Sequence, residues 1–369
     1  MERNGRVAWV DYGKGICIVL VVMMHSTFAV QKDIGFPGFM DYAVAFARPF
    51  RMPDFFMISG LFLSAVIDRP WRDFLDRRVV HFGYFYALWL TIEFAFRIAY
   101  FLVFSRPPSD GFSGGGPLLA EYLWGFVQPW GTLWFIYQLP IFAVAAKLLR
   151  RAPRLLVWLA AAGLHVAKIH TGWNVVDDFC MLAVFFYTGY AVAPRIFAFA
   201  AAARAHPLPA LVGLLVWGCV EGWAVFTPLG PQAVLSAPLR VADYPFVSLA
   251  LGLVGALAVV AVSSLLERAG RFDWVRYCGQ HSLMIYLGFF LPMELARRFF
   301  VSTAVVPEIG VVSLLVTLCG VVGALAMFWV SRALGIRFLY QRPRFLRLVP
   351  PKEAAPAGPA SAAGVQEAA

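Results

Sequence analysis

The sequence predicts an all-α, polytopic membrane protein of about ten transmembrane helices with both termini on the cytoplasmic side. Three observations carry this prediction. Of 369 residues, 61% are hydrophobic and only 14% are charged, against about 25% charged in soluble domains, and the mean hydropathy is +0.72. Apolar runs long enough to cross a bilayer recur along the chain. Lys and Arg, 31 in all, are unevenly shared between the connecting segments. With the N-terminus inside, 22 fall in that terminus, four alternate loops and the C-terminal segment. The opposite side holds six (Lys32, Arg106, Lys168, Arg240, Arg297 and Arg298), and three (Arg48, Arg51 and Arg97) lie within spans. This is the positive-inside pattern, so the net charge of +10 records orientation and not a nucleic-acid footprint.

The spans fall near residues 14–31, 44–66, 79–103, 130–149, 155–170, 179–197, 208–226, 246–266, 281–299 and 310–333. Residues 1–13 form a cytoplasmic N-terminus, 14–333 the transmembrane domain and 334–349 a basic cytoplasmic segment. Residues 350–369 are an Ala/Pro-rich tail that cannot bury a core and reads as disordered. The first run lacks a small-residue cleavage site and nine spans follow, so it is a span and not a signal peptide. Cys17, Cys180, Cys219, Cys278 and Cys319 are odd in number and show neither a disulfide framework nor metal spacing. HExxH, Walker A, GxSxG and dinucleotide-binding signatures are absent. Chemistry must therefore rest on side chains of the helices, with no metal and no permanently bound cofactor.

In the first span, Lys14 stands at the start of the apolar run Ile16 to Val30 and His25 inside it. Eleven residues at about 3.6 per turn make about three turns, so both side chains share a helix face about 16 Å apart. An imidazole near mid-membrane is expensive and marks a functional site; a lone histidine of this kind is otherwise a satisfied core residue. The second span opens RPFRMPDFFMISG, with Arg48, Arg51 and Asp54 at three-residue spacing and Pro49 and Pro53 between them. A broken, charged helix end lining a cavity is one reading, and arginines snorkelling to headgroups the other.

The third span holds Glu93 and Arg97 one turn apart, with Tyr86, Glu93 and Tyr100 at seven-residue spacing. Such an ion pair suits a structural role or a cavity wall, and the stripe faces inward because lipid penalises it. The preceding loop carries Arg69, Arg72, Arg77, Arg78 and His81. Guanidinium groups grip phosphates bidentately, although orientation alone also accounts for them. Trp134, Tyr137 and Gln138 are placed for a cavity wall, with an interfacial aromatic belt explaining Trp130 and Trp134 equally well. The outer loop brings His170, Trp173, Asn174, Asp177 and Asp178, a set suited to a sugar but common in solvated loops.

These residues resemble the acyltransferase 3 family of integral-membrane O-acyltransferases, from about Trp9 to Arg332. WVDYGKGICIVLVVMMHS carries that family's basic residue, ten-residue spacer and histidine as Lys14 and His25. FRMPDFFMISGLFLS is similar to its aromatic-rich segment ending in Ser-Gly, here Ser59 and Gly60. LDRRVVHF, GTLWFIY and CGQHSLMIYLGFFLP resemble further family segments. Two departures stand out. The family often spaces two arginines three apart where Arg78 is followed by His81, and often has a histidine about where Phe289 stands. No fused SGNH esterase-like domain is expected.

The resemblance implies transfer of an acyl group, usually acetyl from acetyl-CoA as co-substrate, to a hydroxyl of a sugar or lipid-linked cell-envelope glycan in a bacterial cytoplasmic membrane. On that expectation His25 is the general base, or is itself transiently acylated. Lys14, Arg78 and Arg72 would bind the donor, while Arg48, Arg51, Asp54, Glu93, Arg97 and Trp134 line the acceptor site or cavity. The expected partners are acyl-CoA, the glycan and membrane lipids, and not nucleic acid. The same intramembrane charges suit a transporter or flippase of a polar solute, against which the lack of an internal repeat counts. A non-catalytic scaffold leaves the alignment of Lys14 with His25 unexplained.

Overall fold

In the computed structural model the described residues are 7–105, 117–129, 131–229 and 239–349, and they form helices with no strand beyond an isolated bridge between Pro228 and Arg240. Residues 1–6, Arg106, Trp130 and the Ala/Pro-rich tail from 350 lie outside the described residues. Helix α1 (Ala8–Ile34) runs unbroken for 27 residues, about 40 Å. It stops at Gly35, whose φ of 87° is left-handed and suits glycine. Pro49 lacks an N–H for a continuous helix, and the next apolar stretch divides into α2 (Met40–Ala47) and α3 (Arg51–Leu61). The short α4 (Ser64–Ile67) and α5 (Trp71–Leu75) lead through one π-helical turn, Asp76–Val80, into α6 (His81–Phe104).

Beyond α7 (Leu118–Trp124) come α8 (Trp134–Leu148) and α9 (Arg154–Ala167). Helices α10 (Asn174–Ala191) and α11 (Ala193–Ala205) bend by 76° at the residue between them, with Pro194 opening the second. The chain continues through α12 (Pro207–Phe226), α13 (Pro245–Ala269) and α14 (Asp273–Gln280). It closes with α15 (Ser282–Gly288), α16 (Phe290–Thr303) and α17 (Ile309–Ala333).

Among the described residues, five helical stretches are long and apolar enough to cross a membrane: Ala8–Ile34, Trp71–Phe104, Pro207–Phe226, Pro245–Ala269 and Ile309–Ala333. There are six if α10 and α11 together make one span. The expected ten are therefore not met by single helices. The stretch near 281–299 is divided because Pro292 has no N–H for the Gly288 carbonyl. Helices α8 and α9, with 15 and 14 residues, are shorter than the ~20 of an upright span. Arg297, expected in an outer connection, instead lies within α16 and is buried.

Helix α1 is central, packing against α3, α13, α14 and α17. Its crossing with α14 is close because a Cβ on Gly279 would overlap the Asp11 carbonyl. Helices α3 and α10 cross reciprocally: a Cβ on Gly60 would meet the Phe186 carbonyl, and one on Gly189 the Met57 carbonyl. Small residues at such crossings let backbones approach where lipid supplies no hydrophobic drive. Gly189→Leu is expected to push α3 off α10 and destabilise the protein by about 1–3 kcal/mol, read as a lower Tm of the purified chain; an unchanged Tm would contradict this packing.

Charged groups sort into two ends. At one, the Tyr12 hydroxyl donates to the Arg271 carbonyl at 3.1 Å and Arg268 to the Arg204 carbonyl at 2.7 Å. At the other, Arg48 pairs with Asp243 at 2.6 Å, and Lys168 donates to the Asp243 carbonyl.

Candidate active site

Because α1 is continuous, Lys14 and His25 keep one face three turns apart. Ser26 fixes the helix at the level of the imidazole: its hydroxyl lies 2.5 Å from that of Thr317 on α17. His25 is half-buried. Its ring centroid is 5.5 Å from that of Phe289, between α15 and α16, at an interplanar angle of 43°. The residue standing where the resembling family often has a histidine is thus the aromatic neighbour of His25.

Helix α3 packs on α1 and brings Arg51 and Asp54, both buried. Arg51 stands at the start of α3, which packs on the helix that carries His25. The Cys17 thiol, one turn beyond Lys14, donates to Asp54 Oδ2 at 2.5 Å. Asp54 Oδ1 and the Nε and Nη1 of Arg51 have no hydrogen-bond partner. Two buried guanidinium nitrogens without partners are costly and are the arrangement expected where a ligand supplies the acceptor. Arg48, by contrast, points away: its side chain is 65% exposed and pairs with Asp243.

The far end of α3 reaches the level of Lys14. Lys14 Nζ lies 5.8 Å from the centroid of the Phe62 ring, just past α3, and Arg78 Nη2 donates to the Phe62 carbonyl at 3.2 Å. Lys14 and Arg78 are therefore gathered at one residue, while Arg72 stands exposed on α5. Arg78 and His81 line a cavity of about 1410 Å³ with Arg69 and Arg77 on one side and residues from Gly335 to Val349 on the other. Lys147 braces the first side, donating to the carbonyls of Ile67 at 2.6 Å and Arg69 at 2.7 Å.

Glu93 and Arg97 form a buried ion pair of 3.3 Å, with Thr132 donating to Glu93 at 3.0 Å and the Arg97 guanidinium 4.7 Å from the Phe290 ring centroid. Tyr86 and Tyr100 are buried with them, so the stripe of α6 faces inward. A second buried network was not legible beforehand: Arg297 pairs with Glu294 at 2.5 Å and with Asp33 at the end of α1. The only local signal for it was an acid and a base three residues apart in an apolar stretch.

Trp134 is half-buried and packs near Phe56, with ring centroids 6.0 Å apart, while the Gln138 amide donates to the Val175 carbonyl at 3.1 Å. In the first turn of α10, Asp177 accepts from the Thr171 amide and hydroxyl and the Gly172 amide of the preceding loop. Asp177 thus ties that loop to the start of the helix. The structure brings together Lys14 with Arg78 at Phe62 and sets Arg51 on the helix packed against that of His25; it leaves Arg48 and Arg72 outside both groups.

A family model described as an acyltransferase domain matches residues 7–332. The chain is 29% identical over 158 residues to the inner membrane protein YcfT of Escherichia coli (strain K12). That match covers 39% of this chain and 44% of the relative, so the chain spans less than half the length of that curated protein. No solved structure matches the chain.

Proposed function

The chain belongs to the acyltransferase family whose domain it matches over residues 7–332, and on that premise we propose that it moves an acyl group from cytosolic acyl-CoA to a hydroxyl of a sugar or cell-envelope glycan. The observation that carries this reading is the pairing along α1 and α3: two cations, Lys14 and Arg78, at Phe62, an imidazole three turns deeper on α1, and on the packed α3 a buried guanidinium with two nitrogens lacking partners. An acyl-CoA has the matching form, with phosphates at one end and a thioester at the tip of an extended pantetheine arm. The membrane is the bacterial cytoplasmic one, in keeping with the relative's description as an inner membrane protein.

In this mechanism neutral His25 takes the proton of the acceptor hydroxyl while its oxygen attacks the thioester carbonyl carbon. Negative charge then develops on the carbonyl oxygen, where the free Nε and Nη1 of Arg51 supply donors. Collapse breaks the carbon–sulfur bond, and the departing thiolate takes the proton from the imidazolium. Phe289 beside the ring gives the imidazole no second proton carrier. In the two-step variant the imidazole attacks the thioester carbonyl and the carbon–sulfur bond breaks, the thiolate leaving with the ring N–H proton. The acceptor hydroxyl then attacks the acyl-imidazole, the carbon–nitrogen bond breaks and the hydroxyl proton returns to the ring.

Labelled acetyl-CoA offered to the purified chain in lipid nanodiscs tests the donor. Lys14→Ala and Arg78→Ala are each expected to raise the KM for acetyl-CoA by about tenfold, the loss of one charge-assisted contact, with a smaller change in kcat. A folded protein that neither binds nor turns over acetyl-CoA excludes this donor, and unchanged KM in both variants moves the phosphate site elsewhere. Acetyl label retained on the protein without acceptor supports the two-step route.

A further inference from the structure

The large cavity at the Lys14 end has two jaws of different origin. The first is the loop and π-helical turn before α6, with Arg69, Arg77 and Arg78; the second is the segment after α17, with Arg337, Arg342, Arg344 and Arg347. This second jaw lies beyond residue 332, outside the part of the chain that the family domain covers.

It is a built element. Arg342 donates to the carbonyl and carboxylate of Asp76, both at 2.8 Å, and the Leu348 amide donates to the other carboxylate oxygen at 2.6 Å. Tyr84 and Trp89 on α6 donate to the carbonyls of Phe338 at 2.7 Å and Leu339 at 3.0 Å. Tyr340 is buried, its ring centroid 5.4 Å from that of Trp89 and 5.2 Å from that of Phe328.

The cavity is also unbalanced in charge. Its seven arginines face two aspartates. Asp73 takes Arg69 and Arg77, at 3.0 and 2.9 Å, and Asp76 takes Arg342. Among the described residues Arg78, Arg337, Arg344 and Arg347 pair with no carboxylate. Four such guanidinium groups around one concavity of about 1410 Å³ suit a ligand bearing several phosphates.

We propose that the two jaws together bind the phosphate-bearing nucleotide end of the acyl donor, the tail arginines Arg344 and Arg347 holding phosphate groups that the first jaw does not reach. The assignment rests on acyl-CoA being the donor. Asp76 is the clasp: one carboxylate secures the tail and sits at the start of the π-helical turn that carries Arg77 and Arg78.

The test measures binding to the full-length chain in neutral phosphatidylcholine nanodiscs, with acetyl-CoA, acetyl-dephospho-CoA and adenosine 3′,5′-bisphosphate as probes. The wild type is expected to bind acetyl-CoA at least about tenfold more tightly than its dephospho form, and to bind the bisphosphate alone. Arg344→Ala combined with Arg347→Ala, both exposed positions, is expected to weaken acetyl-CoA about tenfold to a hundredfold and to narrow that difference. Asp76→Asn is expected to act in the same direction by loosening the tail.

Unaltered acetyl-CoA affinity in the double variant, with turnover intact, overturns the second jaw while leaving the donor assignment standing. Binding of the bisphosphate without acetyl-CoA keeps the phosphate site and removes the donor assignment. Binding of neither probe by folded wild type overturns both. Repeating the series with phosphatidylglycerol separates the two sources of phosphate: arginines that respond only to the anionic lipid serve the membrane surface, and the proposal fails.

Discussion

His25→Ala is expected to reduce acyl transfer by about 10² to 10⁴, the usual contribution of a general base, while the protein remains folded in the membrane. The reason lies in the surroundings of the ring. His25 is on a helix held at that level by the Ser26–Thr317 contact, so truncation to alanine removes the imidazole without removing an anchor. The affinity for acetyl-CoA should stay near that of the wild type, because the proposed phosphate contacts lie about 16 Å away at the Lys14 end. Rates and donor affinity measured side by side, with Tm as the control for folding, decide the matter. Transfer within about tenfold of wild type removes His25 from the role of base.

Arg51→Met is expected to give the opposite sign in two measurements. Two of its guanidinium nitrogens are buried without partners, which destabilises the empty protein; an apolar chain of similar length should leave Tm unchanged or raise it. Activity should fall by about 10² to 10³ in kcat, the size of effect that follows removal of an oxyanion donor. Arg51→Lys should fall between the two, since it keeps the charge and loses the fork of donors. A variant that loses stability along with activity would mark Arg51 as a structural residue. Retained kcat in Arg51→Met would remove it from the transition state altogether.

What the sequence revealed was what depends on neighbours in the chain. The unbroken α1, the shared face of Lys14 and His25, and the Glu93–Arg97 pair all follow from spacing along a single helix. So did the charged start of α3, although spacing alone put Arg48 beside Arg51, and the break at Pro49 turned them apart. Contacts between distant segments were not legible. Arg342 and Asp76 lie 266 residues apart, and a basic stretch after the last span reads as orientation until the fold closes it over a cavity. Phe289 was visible only as a departure from a resemblance; its position against His25 needed the turn between α15 and α16.

The pairing of Arg297 with Asp33 bears on how such a bundle is made. Synthesis proceeds from the N-terminus, so α1 is made with a carboxylate at its far end whose partner Arg297 is 264 residues away. Glu294 travels with Arg297, three residues from it on the same helix, and α16 can enter as a largely neutralised unit. On the first helix Asp33 follows Lys32 directly in the chain, and its own pairing with Arg297 is completed only when one of the last helices docks. Assembly therefore joins the two ends of the membrane domain late, and the helix that bears the proposed base reaches its final setting only when nearly all the chain is in place.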